Sequence, residues 1–310
     1  MRSSFQLSEG VGLIGTEETG DIFKTEDAGM SWRKVWDGGD VIGIQDVRNY
    51  IRAQDGHIYI TTSEPGTIVR STDEGETWKL ITKAPGSRTV GLVQLDDGSM
   101  LVGLRRAVAK KTSLIRSEDN FKTQEWVSVS DERPQQNVTC FGYKSGPTVF
   151  AGVGYEGSGK IFKSNDYGRT WTKVADFTDA RDLMGIFFEG DDIYALTSGV
   201  SKIHKSSDGG MTWEQSHQFW ENGFLGDCIL FRHNGKSYWV IPATDQRVKP
   251  YRHVLMITDD LTGEWSEWIE LDQDTTGGAS NLTFLSLDTI VVGTGNHAAQ
   301  GKAFTLKISD

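Results

Sequence analysis

Tyr251, Arg252 and His253 are three consecutive residues that bring together an acid, a fixed cation and a base. An imidazole can take a proton near neutral pH, a phenol can return one to a leaving oxygen, and a guanidinium can neutralise a uronate carboxylate and acidify the C–H beside it. These are the parts that β-elimination from a uronate polysaccharide needs, which makes the three residues the candidate catalytic set. They close the stretch Thr244 to His253, TDQRVKPYRH, which is basic in a chain of net charge −11. The stretch Arg105 to Ser113, RRAVAKKTS, reverses the charge in the same way, and both point to an anionic ligand. The segments DVR, DER and DARD place carboxylates beside arginines at Asp46 and Arg48, at Asp131 and Arg133, and at Asp179, Arg181 and Asp182.

The candidate binding residues are therefore Arg48, Arg105, Arg106, Arg133, Arg181, Asp182 and Arg247, with Trp220 as a stacking surface and His297 as a further imidazole. A hydrolase would draw instead on the carboxylates Asp46, Asp182 and Asp227. The same acid–base couples also fit solvated surface ion pairs of little energetic consequence. The six histidines are scattered, with no ligand-spaced cluster, and no phosphate loop, nucleophile elbow or dinucleotide fingerprint occurs, so neither a metal nor a cofactor is expected.

The elements that must hold these residues are set by a repeat. IFKSNDYGRTW, Ile161 to Trp171, reads as a strand ending in a basic residue followed by S-x-D-x-G-x-T-W. Asp can accept from backbone N–H groups just ahead of it, Gly can take a positive φ, and the hydroxyls close the loop. The pattern returns at Thr25–Trp32, Ser71–Trp78 and Ser206–Trp213, and in eroded form at Ser117–Trp126 and Thr258–Trp265. Its aspartates are Asp27, Asp73, Asp119, Asp166, Asp208 and Asp259, spaced at the period of a repeated β unit.

Between the boxes, short runs of β-branched and aromatic residues alternate with Gly, Asp and Pro turns, four runs to a repeat. NLTFLSLD, TIVVGTG and KAFTLKISD repeat the first three runs once more. The expected fold is all-β: a single β-propeller domain over residues 1–310, built of four-stranded antiparallel blades. Seven blades are expected, with six as the alternative, and the last blade either stays three-stranded or borrows an N-terminal strand.

The boxes resemble the Asp-box (BNR) repeat of sialidases, sortilin-type receptors, photosystem II assembly factors, and several glycoside hydrolases and polysaccharide lyases. The resemblance spans nearly the whole chain. It implies Asp-box turns between third and fourth strands, on the rim away from the ligand-binding face. It also implies one of two functions. The first is binding, with cleavage by a lyase or hydrolase, of an acidic poly- or oligosaccharide at the channel mouth. The alternative is a non-catalytic scaffold that binds protein or glycan. A sialidase is not expected, since the nearest match to its F/Y-R-I-P strand is NYIRAQDG, where Arg52 follows Tyr50 and Ile51 without a proline.

The acidic balance argues against nucleic acid as a partner. MRSSFQLSEG lacks the apolar core of a signal peptide and no apolar run reaches membrane-spanning length, so a soluble chain with no membrane partner is expected. Cytoplasm, virion or secretion after loss of a leader all stay open as compartments. Cys140 and Cys228 sit in strand-like apolar runs and are expected as free thiols.

Overall fold

The computed structural model describes residues 3–84, 86–107, 114–129, 137–155, 158–226, 228–233, 235–248, 251–271, 279–286, 289–294 and 303–307. Its strands fall into consecutive antiparallel sets at residues 3–37, 46–83, 86–127, 137–177, 183–218, 223–270 and 279–307. In each of the first six sets the strands pair in chain order, and a fourth strand covers the third. The second and third sets share one sheet through a single rung, Ser63 opposite Arg88. In the sixth set the inner strand is split into Gly223–Leu225 and Ile229–His233, both paired with Lys236–Asp245. The seventh set has three strands among the described residues, and the N-terminal strand Ser3–Ser8 pairs within the first set.

One apolar cluster lies between each set and the next. Tyr59 and Ile68 meet Leu92 and Val102 between the second and third sets, and Leu101 and Leu114 meet Val138 and Ala151 between the third and fourth. Leu196 and Ile203 meet Ile241 and Val254 between the fifth and sixth. Ile14 of the first set meets Leu285 and Val291 of the seventh, and the Gly10 amide donates to the Leu285 carbonyl at 2.5 Å. The last set therefore packs against the first, as a propeller requires.

The turns after the third strands repeat one hydrogen-bond scheme. Every third strand in the first six sets ends on a hydroxyl residue: Thr25, Ser71, Ser117, Ser164, Ser206 and Thr258. The Ser164 hydroxyl donates to Asp166 Oδ1 at 2.7 Å and accepts from the Gly168 amide at 2.9 Å. Asp166 in turn accepts from the Thr170 amide at 2.8 Å and the Thr170 hydroxyl at 2.6 Å. The same bonds recur around Asp27, Asp73, Asp119 and Asp208. In the sixth set the acceptor is Asp260, which takes the Thr262 amide at 2.8 Å. This corrects the expectation of Asp259: Asp260 is the residue two places after the hydroxyl Thr258, the spacing of Ser164 and Asp166.

At three seams the basic residue before the hydroxyl ties its own set to the next set's turn. Lys24 Nζ donates to the Glu74 carbonyl at 3.0 Å, Arg116 Nε to that of Tyr167 at 2.8 Å, and Lys163 Nζ to that of Gly209 at 2.8 Å. Each acceptor lies inside the next set's box. Gly168 shows why the box needs glycine: its φ is +79°, and a Cβ there would lie 2.8 Å from Leu101 of the preceding set. The third box departs from this, with Phe121 at φ 65° and its ring 6.2 Å from Tyr59.

The sequence reading missed one helix, Gly38–Ile42, where the Asp37 side chain accepts from the Asp40 amide and Gly43 closes the end at φ 73°. Five residues are too few to show periodicity. Cys140 is buried and Cys228 is half-buried, and among the described residues neither is in a disulfide. Among the described residues no helix is long and apolar enough to cross a membrane.

Two stability predictions follow from the turns and from one buried imidazole. Asp166→Ala removes several of its turn's hydrogen bonds and is expected to lower stability to urea by about 1–3 kcal/mol, with ligand binding unchanged. Loss of binding at unchanged stability would contradict this placement. The pH profile should show two limbs. His204 is stacked on Phe177 at 4.0 Å, and burial lowers it from 6.5 to about 4. An imidazole favoured neutral in the fold contributes stability above the unfolded pKa that is lost as pH falls from 6.5 towards about 4. Asp27 is held down from 3.8 to about 2, chiefly by the Ser31 hydroxyl and amide, so its contribution is lost over that lower range. His204→Phe should shrink the upper limb alone, read as urea midpoint against pH.

Candidate functional site

The ends of the strands opposite the Asp boxes carry the acidic and basic residues singled out in the sequence. Asp46 begins the strand Asp46–Arg52 and is paired with Ser63, the last residue of Ile58–Ser63. Its Oδ2 accepts from Arg48 Nη2 at 2.5 Å and from the Ser63 hydroxyl, and its Oδ1 accepts from the Glu18 amide at 3.2 Å. Asp46 and Arg48 are both buried. Arg88 stands on the adjoining rung and donates Nε and Nη2 to Glu64 Oε1 at 2.9 and 2.6 Å.

A second couple forms around Asp182, just before the strand Leu183–Glu189. Burial raises its pKa above the ordinary carboxylate value, and the nearby Arg105 and Arg181 oppose that rise. Arg181 Nε lies 3.7 Å from the carboxylate, and its side chain is 76% exposed. The Arg181 amide donates to Ser198, and Gly199 bridges to Gly223 of the sixth set. That bridge carries the face on to a third couple. Asp245, buried and paired with Gly223, accepts Arg247 Nε and Nη2 at 2.9 and 2.8 Å. Arg247 stays 52% exposed, with Cζ 5.9 Å from the ring centroid of the buried Trp220.

Tyr251, Arg252 and His253 do not converge. The strand Arg252–Thr258 alternates its side chains, so neighbours point to opposite faces. His253 is 0% exposed, with Nδ1 3.0 Å from the Thr244 hydroxyl. Arg252 turns the other way, its Nη1 donating to Glu267 at 2.9 Å and its Nε to Glu270 at 3.1 Å. Tyr251 is half-buried ahead of the strand. The side chain of Arg106 and the residues Arg133 and His297 lie outside the described residues. What the sequence does not single out is the carboxylate partner of each, Glu64 for Arg88 and Asp245 for Arg247. The signal was present in Asp-x-Arg at Asp245 and Arg247, the spacing of Asp46 and Arg48.

Comparison with known proteins gives the arrangement a context. The family model described as photosynthesis system II assembly factor YCF48 matches residues 10–200. The photosystem II assembly lipoprotein Ycf48 of Trichormus variabilis is 26% identical over 165 residues, 51% of this chain and 43% of that protein, so the match spans less than half of this relative. Among solved structures, YCF48 bound to D1 peptide superposes with a TM-score of 0.67 at 16% identity, covering 100% of this chain and 91% of that one. A GH74 xyloglucanase from Xanthomonas campestris gives 0.67 at 15% identity over 94% of this chain and 50% of its own. A catalytically inactive virginiamycin B lyase from Staphylococcus aureus with quinupristin gives 0.66 at 13% identity, over 99% and 94%. At these identities the structural likeness establishes a shared β-propeller fold.

The buried couple offers a direct test of the site's construction. Arg48→Met removes a guanidinium 2.5 Å from a buried carboxylate and is expected to destabilise the protein by about 3–5 kcal/mol. Adding Asp46→Asn to that variant should recover part of the loss in urea unfolding. If the double variant is no more stable than the single one, the Asp46 charge is not what the arginine offsets.

Proposed function

The chain belongs to the family of the photosynthesis system II assembly factor YCF48, and on that premise we propose that it is a non-catalytic propeller scaffold that binds a segment of a partner protein. The observation that carries this reading is the separation of the acid, cation and base that cleavage would need. His253 is buried against Thr244 and Arg252 is held by two glutamates on the other side of its strand. Arg181 and Arg247 stay exposed on the face opposite the Asp boxes. Arg247, hydrogen-bonded to Asp245 and lying over the Trp220 ring, is pre-oriented, and its free edge suits a carboxylate or a backbone carbonyl. The solved YCF48 carries a D1 peptide, and that structure overlaps the full length of this chain, which supports a peptide as the ligand class. Seven strand sets, with the last packed against the first, favour a seven-bladed ring over the six-bladed alternative.

The test pairs a binding assay with an activity assay. A labelled library of acidic peptides is titrated by fluorescence anisotropy, and uronate-containing and sulfated polysaccharides are screened for unsaturated and reducing ends. The scaffold reading expects peptide binding that falls about tenfold or more, near 1.4 kcal/mol, in Arg181→Ala/Arg247→Ala, with no polysaccharide turnover. Turnover that disappears in Tyr251→Phe would overturn it in favour of a saccharide-cleaving enzyme.

A further inference from the structure

The carboxylates on the rim opposite the Asp boxes differ in the donors they receive. Asp46 accepts from Arg48, the Ser63 hydroxyl and the Glu18 amide, and Asp245 accepts from the side chain and amide of Arg247. Asp182 is the exception. Its side chain is only 18% exposed, Arg181 Nε stands off at 3.7 Å, and among the described residues no donor hydrogen-bonds to its carboxylate.

The backbone holds that arrangement in place. The Arg181 amide donates to the Ser198 carbonyl at 3.0 Å and the Ser198 amide to the Asp182 carbonyl at 2.9 Å, so the link is clamped to the residue that follows the strand Asp192–Thr197. On its other side Asp182 meets the paired glycines Gly154 and Gly159 of the fourth set. A Cβ on Gly154 would lie 2.3 Å from Asp182 Oδ1, so any side chain there would take the carboxylate's place.

Few charged groups act on this carboxylate. Arg181 on its own link and Arg105 of Met100–Ala107 favour the ionised form, while burial opposes it more strongly and raises the pKa. Lys160, beside Gly159, is turned to Asp176 at 3.7 Å, and Lys202 of the fifth set to Asp179 at 2.6 Å. A ligand carboxylate seated on the exposed edge of Arg181 would bring a second negative charge to the far side of the same guanidinium. Two carboxylates that share a site do not both stay ionised, and one of them keeps a proton. Burial makes Asp182 the one that holds it.

We propose that Arg181 and Asp182 form a proton-linked carboxyl site, which takes an acidic side chain of the partner together with one proton held on Asp182. The inference rests on the scaffold reading above and adds the protonation state in which the ligand is bound.

The probe is rhodamine-labelled hexaglutamate. Its binding to the full chain is followed by anisotropy between about pH 5.5 and 8, above the ordinary glutamate range, and by calorimetry in buffers of different ionisation enthalpy. Proton uptake makes affinity rise as pH falls, by up to about tenfold per pH unit, and the calorimetric heats should report uptake approaching one proton. Both readouts come from the parent protein and need no variant. In Asp182→Asn, which is neutral at every pH, the slope and the uptake should vanish, with affinity at the alkaline end no lower than the parent's. Arg181→Ala should weaken binding about tenfold or more.

Uptake that survives Asp182→Asn overturns the proposal, as does binding that Arg181→Ala does not weaken. Binding that depends on Arg181 but shows neither uptake nor pH slope overturns it as well, and leaves the scaffold reading standing. Absence of hexaglutamate binding overturns it too, and the scaffold reading then rests on the acidic peptide library alone.

Discussion

The structure depends on a carboxylate that collects the donors of its own turn, while at three seams a cation from the preceding set grips that turn from outside. Asp166 takes the amide and hydroxyl of Thr170, and Ser164 takes the amide of Gly168. With those bonds made, the Tyr167 carbonyl points outward, where Arg116 of the set before reaches it at 2.8 Å. At those seams one motif does two jobs: it reverses the chain between third and fourth strands and helps fix the position of one sheet relative to the last. The apolar clusters between sets supply most of the favourable free energy, but apolar contact is non-directional. The hydrogen bond from cation to carbonyl gives the interface a direction.

Closure of the ring uses a reduced version of the same device. Thr305 sits opposite Val291 as Lys163 sits opposite Phe150. Its hydroxyl donates to the Gly29 carbonyl at 3.1 Å, inside the first box, and Leu285 packs beside Gly29. A short hydroxyl reaches less far than a lysine, and the Gly10 amide bond to Leu285 adds a second tie across the same seam. Among the described residues the seam is therefore held by hydrogen bonds and a small apolar cluster.

The legible part of this protein was the part under repeated constraint. The boxes and the strand order could be read because each repeat needs the same hydroxyl, carboxylate and glycine at the same spacing. The cation before the hydroxyl was visible as a residue type, but its acceptor was not, since that acceptor is a backbone carbonyl in the next repeat. Adjacent residues were the misleading case. Tyr251, Arg252 and His253 look like a cluster in sequence, yet a strand sends neighbours to opposite faces, burying His253 and turning Arg252 towards Glu267 and Glu270. Spacing by two is what brings charged groups together here: Asp46 with Arg48, and Asp245 with Arg247.

That spacing also separates the roles of the two rims. On the Asp-box rim the carboxylates are consumed by their own turns, so the chemistry available to a ligand is small and the geometry repeats from set to set. On the opposite rim, successive links place acid–base couples of differing burial: closed at Asp46 and Arg48, half-open at Asp245 and Arg247, and open at Arg181. A closed couple stiffens the link that carries it but has little left to offer a ligand. The two open arginines retain donors, and Arg247 is anchored through Asp245, which pairs with Gly223. Graded exposure on one rim suits the scaffold role proposed above, in which a partner is recognised by where its polar groups fall.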